Sequence, residues 1–376
     1  MRIALFCHNY PPHPGGLEVM AQNLARGLAR AHDVVLVSSG WEGAHGKSLE
    51  GGVTVHRIPA IHLTERFGVP YPVLLGPGLH SALKAAASAD VLHAHGALYP
   101  SSMLAAWTSA RSQKPLVLTE HVGFVTYRRA LLNAVQRAAW IAIGDRIVRR
   151  ARIVNALNTR VQGWLQARFP ELAVRYVGNG VDTALFRPRA TWERAAIRRR
   201  LGLPADEVLA LFVARASEKK NLDAVLDIPR QDHHLVVCGA RRDLRLPGVT
   251  DLGLVPYARM PDLFVCVDVM VHASAGEGLP LAVQEAIASG LPVALLWDEG
   301  YAGWISREAV IACDSLAEVD AAVRRLTASA ESRAVLSARA RAWAEHKWSW
   351  NETVAQYESL YREALSRTDE PCRKIA

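Results

Sequence analysis

Twice along this chain, short apolar runs alternate with helix-patterned segments through loops of small residues. That alternation limits the fold more than any other feature. The first series opens with a strand over 2–7, a loop over 8–16, a helix over 17–31 and a strand over 33–38. A β–α–β start of this kind predicts the α/β class, with a parallel, doubly wound sheet. Further strands are predicted at 53–58, 90–95, 116–119, 153–157 and 174–177. After a helix over 193–201, a second series begins at 208–213 and continues through 235–238, 249–251, 267–272 and 292–296. A length of 376 residues suits two domains. The boundary is placed in GNGVDTALFRP, residues 178–188, which gives a first domain over 1–180 and a second over 181–347. A terminal helix over 348–366, with Trp350, Tyr357 and Tyr361 at helical spacing, and a frayed tail over 367–376 complete the division.

Half of the residues are hydrophobic, so two sizeable cores are available. Five cysteines (Cys7, Cys238, Cys266, Cys313, Cys372) are scattered and mostly within apolar runs. They predict reduced, buried thiols in a cytoplasmic protein, with neither a disulfide frame nor a metal site. The start, MRIALFCHNY, turns at Pro11-Pro12 and reads as a first strand, not a signal peptide. No run reaches the eighteen or so apolar residues of a membrane span. The net charge of +8 is concentrated: residues 123–170 hold nine arginines and one acid, Asp145. The partner of that region is expected to be anionic; no nucleic-acid partner is expected.

The most informative stretch is HASAGEGLPLAVQEAIASGLPVA, residues 272–294. It reads as a buried strand, a small-residue loop, a helix to about Ser289 and a second apolar run, with Pro280 at the helix start and Gly290 as its left-handed stop. The first turn of such a helix offers unpaired N–H groups and a partial positive charge to an anion. Glu277 in the loop and Glu285 in the helix stand beside that turn, where carboxylates can bind the neutral hydroxyls of a sugar or ribose on the same ligand. A loop entering a helix, with two solvated glutamates, is the plainer alternative.

The same stretch resembles the E-x7-E signature of the retaining, nucleotide-sugar-dependent family 4 glycosyltransferases, which have the GT-B fold of two Rossmann-like domains. The resemblance implies that Glu277 contacts donor-sugar hydroxyls, Glu285 holds the ribose, and the Gly278-Leu279 amides, followed by Pro280, bind phosphate. Other segments are similar to that family in the same order. Gly15-Gly16, after the first strand, matches its glycine loop, facing the donor phosphates. DVLHAH at 90–95 is similar to D-V-x-H-x-H, and His121, at the end of the next strand, is placed at the donor sugar. GNGVDTALFRP is similar to N-G-V-D-x-x-x-F-x-P at the domain junction. Arg215 and Lys220 have the spacing of G-R-x4-K, with Ala214 in place of the glycine, and the resemblance assigns them to the diphosphate. The terminal helix is implied to cross back over the first domain.

One decoy is set aside: GWEGAHGKS at 40–48 resembles a P-loop, but Trp41 stands where the first glycine belongs. The segment 60–78, with Phe67, Val69, Tyr71, Leu74 and Leu75, is either an acceptor-side loop or an ordinary packed connection. In the arginine-rich stretch, Arg129, Asn133, Gln136 and Arg137 fall opposite Leu131, Leu132, Val135 and Ala139; Arg146, Arg149 and Arg150 repeat the pattern. With Arg128, they form either a basic face for anionic lipid headgroups or a pyrophosphate-linked acceptor, or a solvated face on a core helix.

The implied activity is transfer of a hexose-type sugar from a UDP- or GDP-linked donor to a hydroxyl, with retention. Neither a D-x-D pair nor a His/Cys cluster occurs, so protein cations are expected to replace a metal, and no cofactor is expected. A lipid-linked or polysaccharide-type acceptor is expected, with peripheral association at the inner face of an anionic membrane. A nucleotide-sugar epimerase on the same fold, or transfer to a small soluble metabolite, are the alternatives. A nicotinamide dehydrogenase is disfavoured because no G-x-G-x-x-G occurs.

Overall fold

Strands that are apolar on both faces need cover on both faces, and a parallel sheet flanked by helices supplies it. The computed structural model describes residues 1–62, 71–124, 130–214, 218–239 and 244–366. It has two such sheets, in two units: residues 1–179 with the segment from Trp350 onward, and Gly180–Ser349.

The first unit runs β1 (Arg2–Phe6), α1 (Gly16–Leu28), β2 (Asp33–Ser39), β3 (Gly46–Glu50), β4 (Val53–Ile58), the short pair β5 (Ala60–Ile61) and β6 (Val73–Leu74), and α2 (Leu79–Ala87). It continues through β7 (Val91–His95), α3 (Pro100–Ser112), β8 (Leu116–Glu120), α4 (Ala130–Ala139), α5 (Asp145–Arg150), β9 (Ile153–Ala156), α6 (Thr159–Arg168) and β10 (Val174–Tyr176). The sheet order is β10-β9-β8-β7-β1-β2-β4-β3. Among the described strands of this sheet only β3 runs antiparallel, against β4, with Glu50 opposite Val53. The two residues between them, Gly51 and Gly52, both have positive φ, 58° and 84°, as a tight right-twisting hairpin turn requires. The P-loop decoy thus ends in an edge hairpin, where a nucleotide-binding helix would have to stand.

The second unit runs α7 (Thr191–Leu201), β11 (Leu209–Val213), α8 (Leu222–Leu226), β12 (His234–Cys238), β13 (Val249–Asp251), α9 (Met260–Cys266) and β14 (Val269–His272). Then follow α10 (Leu281–Ala288), β15 (Val293–Leu296), β16 (Ile311–Cys313), α11 (Leu316–Ala328) and α12 (Ala330–Lys347). Its sheet, β13-β12-β11-β14-β15-β16, is wholly parallel. Counted from β11 this is the order 3-2-1-4-5-6 of a dinucleotide-binding sheet, whose ligand crevice lies where the order reverses, between the first and fourth strands.

Helix α13 (Trp350–Ser366) belongs to the first unit. Its Val354, Tyr357, Leu360, Tyr361 and Ala364 share a core with Met20, Leu24 and Leu28 of α1. Two tyrosine hydroxyls extend that packing into the sheet: Tyr361 bonds His93 Nδ1 at 2.8 Å, and Tyr357 accepts from Asn155 at 3.3 Å. Four free cysteines, Cys7, Cys238, Cys266 and Cys313, are buried; Cys372 and the 367–376 tail lie outside the described residues. Among the described residues no helix is long and apolar enough to cross a membrane.

Candidate active site

The loops after β11 and β14 meet at the reversal of the second sheet. After β11 the chain reaches Lys219 and Lys220 in a short 3-10 turn, then Asn221. After β14 come Ala273 to Pro280 and helix α10. Two hydrogen bonds stitch the loops together: Ala275 N–H donates to the Lys219 carbonyl at 2.9 Å, and the Asn221 amide donates to the Ala273 carbonyl at 2.8 Å. Held this way, Lys220 Nζ lies 2.8 Å from Glu277 Oε1, with Lys219 Nζ at 3.7 Å. Burial works to raise the Glu277 pKa, but Lys220 and Lys219 outweigh it and hold the carboxyl at about 2. His272, 3% exposed, is driven down to about 3 by burial and then by Lys220, so it is neutral.

Gly278, Leu279 and Pro280 complete the loop, with Pro280 as the N-cap of α10. The helix ends at Gly290, φ 71°, where Leu291 N–H returns to the Ala286 carbonyl at 2.9 Å and Gly290 N–H to Ile287 at 3.0 Å. This is the left-handed stop that a glycine there permits. Glu285 has a different environment from Glu277. It is 3% exposed, and its Oε1 accepts from the Tyr257 hydroxyl at 2.7 Å. Burial raises its pKa to about 8, against that hydrogen bond. Two carboxyls of one motif therefore differ in charge at neutral pH: Glu277 is a carboxylate and Glu285 a carboxylic acid. Arg215 lies outside the described residues.

The first-unit residues stand at the carboxyl edge of its sheet. Gly15 and Gly16 begin α1. A Cβ on Gly15 would lie 2.0 Å from Glu18 Oε2, so the glycine makes room for the chain's own carboxylate. Glu18 is 2% exposed and pairs with His13 Nδ1 at 2.7 Å. His121 follows β8, and its Nε2 shares a hydrogen bond with His95 Nδ1 at 3.2 Å. Burial, then His95 and His8, hold the His121 pKa well below its usual value, so the ring is neutral. Glu120 sets the turn: Oε2 accepts from Ala97 N–H at 2.8 Å, and Oε1 from the amides of His121, Val122 and Gly123. At the reversal between β1 and β7, His8 stacks on Tyr99 with centroids 3.8 Å apart. Glu120, His8, Tyr99, Lys219 and Tyr257 escape a motif search, because each matters through contacts from distant segments. Lys219 alone carried a signal, as the neighbour of Lys220.

The basic stretch departs from the single face read in the sequence. In α4 no residue is buried. Asn133 and Gln136 are half-buried, whereas Leu131, Val135 and the following Ile141 are 75%, 58% and 66% exposed. Leu132 is 44% exposed as well, so three of the four expected apolar residues face outward, and Ala139 alone among them is half-buried. Arg150 is buried and bonds Ser109; Arg149 pairs with Glu171; Arg168 pairs with Asp145. Arg137 lies 5.8 Å from the Phe124 ring, and Arg146 bonds the Ala142 carbonyl; both are exposed. Arg128 and Arg129 lie outside the described residues, as do Phe67 and Val69. In the 60–78 segment, Leu75 is 53% exposed but Leu74 is buried in the core.

Two Rossmann-like units in this order define a class of fold that solved structures share. Sucrose-phosphate synthase of Thermosynechococcus elongatus matches with a TM-score of 0.75 at 19% identity, over 97% of this chain and 99% of its own. HepE of Anabaena, in complex with UDP-glucose, matches with 0.73 at 18% identity, over 96% and 100%. The fold is GT-B. The Glycosyltransferase Family 4 model matches residues 14–185 and the Glycosyl transferases group 1 model residues 193–343. The chain belongs to the family 4, group 1 glycosyltransferases, which use nucleotide sugars. Among curated relatives, a D-inositol 3-phosphate glycosyltransferase of Acidothermus cellulolyticus is 28% identical over 94% of this chain and 86% of its own. A GDP-mannose-dependent alpha-mannosyltransferase of Mycolicibacterium smegmatis is 26% identical over 78% and 79%. A putative teichuronic acid biosynthesis glycosyltransferase of Bacillus subtilis is 28% identical, and there the match spans 54% of this chain and about half, 52%, of the relative.

Proposed function

We propose that this protein transfers a hexose from a UDP- or GDP-linked donor to a hydroxyl of a lipid-linked or polysaccharide-type glycan, with retention at the anomeric carbon. The observation that carries this reading is the Lys220–Glu277 pair at the β11/β14 reversal: a cation suited to a diphosphate beside a carboxylate suited to sugar hydroxyls. As the C1–O bond to the diphosphate breaks, charge gathers on the leaving oxygens. Lys220, Lys219, Arg215 and the Gly278 and Leu279 amides oppose it, and one preorganised group of this kind is worth about 3 kcal/mol. Glu277, tied to Lys220 and held at about 2, is suited to gripping hydroxyls and poorly suited to forming a covalent glycosyl intermediate. The acceptor oxygen then bonds C1 on the face the diphosphate leaves, and the acceptor proton passes to a phosphate oxygen. No metal is required by this scheme, so turnover should survive a chelator. The neutral His121 offers the sugar a hydrogen bond, and Glu285 takes the ribose. Gly15 and Gly16 serve the donor phosphates only so far as the Glu18 carboxylate leaves their amides available.

The outward apolar side of α4, with Arg137 and Arg146 nearby, supports an acceptor presented at an anionic membrane surface. The donor is tested by a thermal-shift panel of UDP-, GDP- and ADP-sugars, followed by NMR of the product's anomeric configuration. Stabilisation by a uridine or guanosine diphosphate sugar and a retained configuration are expected. An inverted product, or no stabilisation by any nucleotide sugar, refutes the reading. For the acceptor surface, the wild type should pellet with vesicles of phosphatidylglycerol, and Leu131→Ser with Val135→Ser should weaken pelleting about a hundredfold, in line with ~1.5 kcal/mol per buried aliphatic side chain. A wild type that ignores anionic vesicles overturns that part.

A further inference from the structure

Of the two motif glutamates, Glu285 is the one that no side-chain cation accompanies among the described residues. Its one side-chain hydrogen bond there comes from Tyr257, whose hydroxyl donates to Oε1 at 2.7 Å. The two residues come from separate parts of the second unit. Glu285 sits in α10, after β14, whereas Tyr257 opens the short turn Tyr257–Arg259 beyond β13.

That turn leaves the tyrosine little freedom. It begins at Pro256, whose carbonyl accepts from Arg259 N–H at 2.8 Å, and passes directly into α9. The Tyr257 ring lies 6.0 Å from the ring of Phe186, and Phe186 is fully buried and lies 6.0 Å from Phe264. A tyrosine on a fixed backbone, with its ring against a buried phenylalanine, delivers its hydroxyl to one place.

We propose that Tyr257 is a positioning residue for donor recognition: its hydroxyl holds Oε1 of Glu285 and so turns Oε2 toward the ribose hydroxyls of the nucleotide sugar. This rests on the reading of Glu285 as the ribose ligand. The hydrogen bond also sorts the carboxyl proton. Oε1 accepts from Tyr257, so when Glu285 carries a proton, as burial favours, that proton resides on Oε2. The carboxyl then presents an O–H donor to one ribose oxygen, and the same oxygen can accept from a second hydroxyl. Without the tyrosine, a buried carboxyl can rotate or exchange the roles of its oxygens, and the ribose must select the productive arrangement on binding.

Isothermal titration with the nucleoside diphosphate of the preferred donor, beside its 2′,3′-dideoxy analogue, tests this in wild type, Tyr257→Phe and Glu285→Ala. Phenylalanine keeps the ring against Phe186, and a thermal melt checks that the variant is folded. Tyr257→Phe should bind the ribonucleotide about tenfold more weakly, the equivalent of one ordinary hydrogen bond at ~1.4 kcal/mol. Its affinity for the dideoxy analogue should match wild type, and the loss in turnover should appear in donor KM and not in kcat. A folded Tyr257→Phe that binds the ribonucleotide as wild type does, while Glu285→Ala loses its preference for ribose, overturns the role of Tyr257 alone. A Glu285→Ala protein that still prefers ribose as strongly as wild type overturns the ribose reading of Glu285, and the inference with it.

Discussion

Replacing Lys220 by alanine isolates the contact on which the proposed chemistry depends. The ammonium lies 2.8 Å from Glu277, and the two side chains are 17% and 14% exposed. Two unit charges at that separation attract by about 6 kcal/mol at an effective dielectric near 20, before desolvation is counted. The carboxyl reports the net effect. Its pKa drops from 4.5 to about 2 against the opposing pull of burial, which corresponds to roughly 3 kcal/mol in favour of the charged form. Lys219, at 3.7 Å and 39% exposed, retains a small part of this. Lys220→Ala should therefore destabilise the second unit by about 2 kcal/mol at pH 7. Glu277 has a depressed folded pKa, so its stabilising contribution is complete above pH 4.5 and is lost as pH falls through about 2. The deficit of the variant should shrink over that window. Turnover should fall about 10²- to 10³-fold, the usual loss when a preorganised group opposing leaving-group charge is removed. The assay pairs nucleoside diphosphate release at saturating donor with urea unfolding of Lys220→Ala, Glu277→Gln and the double variant. Stability costs that simply add, with no coupling beyond ~0.5 kcal/mol, refute the energetic argument. Wild-type turnover in a folded Lys220→Ala protein refutes the chemical one.

Glu285 carries the opposite sign. Between pH 4.5 and about 8 the unfolded chain loses this proton while the folded protein keeps it, so stability falls with rising pH by up to ~1.4 kcal/mol per pH unit. Glu285→Gln keeps an acceptor for Tyr257 and removes the titration, so its stability relative to wild type should climb from pH 5 to pH 8 in denaturant unfolding; a constant difference refutes a protonated Glu285. In the first unit, Tyr361→Phe strips His93 Nδ1 of its buried partner and should lower unfolding free energy by about 1–3 kcal/mol. An unchanged melting temperature would show that this bond does not secure α13.

The strands were legible where apolar character alone defines them. The expected span 53–58 coincides with β4, and β15 lies within the expected span 292–296. β3 was not, because GKSLE at an exposed sheet edge lacks the buried pattern that marks a strand. In α4 the helical period was correct, but a helix wheel defines two faces without saying which one packs. Asn133 and Gln136 are half-buried and Leu131 is exposed, an orientation that the surrounding fold decides. Arginine counting met a similar limit. Glu171, one residue beyond the counted segment, neutralises Arg149, and burial removes Arg150 from the surface. The positions of Glu277 and Glu285 were readable from spacing, but their charges were not, because charge depends on partners that spacing does not contain.

Sheet order explains those partners. In the sequence β13-β12-β11-β14, the loops after β11 and β14 are neighbours at the carboxyl edge, and a cation following the first must meet a carboxylate following the second. The connection from β13 to β14 has farther to travel. It leaves the outer edge and passes three strand spacings, about 14 Å, to reach the other side of β11. Tyr257 lies on that crossing, before α9 returns the chain to β14, and it arrives over the helix that β14 feeds. The crossing gives Glu285 a neutral hydroxyl for company where the adjacent loop gives Glu277 a lysine. Burial without a cation then keeps Glu285 protonated, whereas burial beside two lysines keeps Glu277 ionised. One topology thus supplies a charged carboxylate beside the proposed diphosphate position and a neutral carboxyl for the ribose. A tyrosine moved one residue along this crossing would break the second arrangement and leave the first intact.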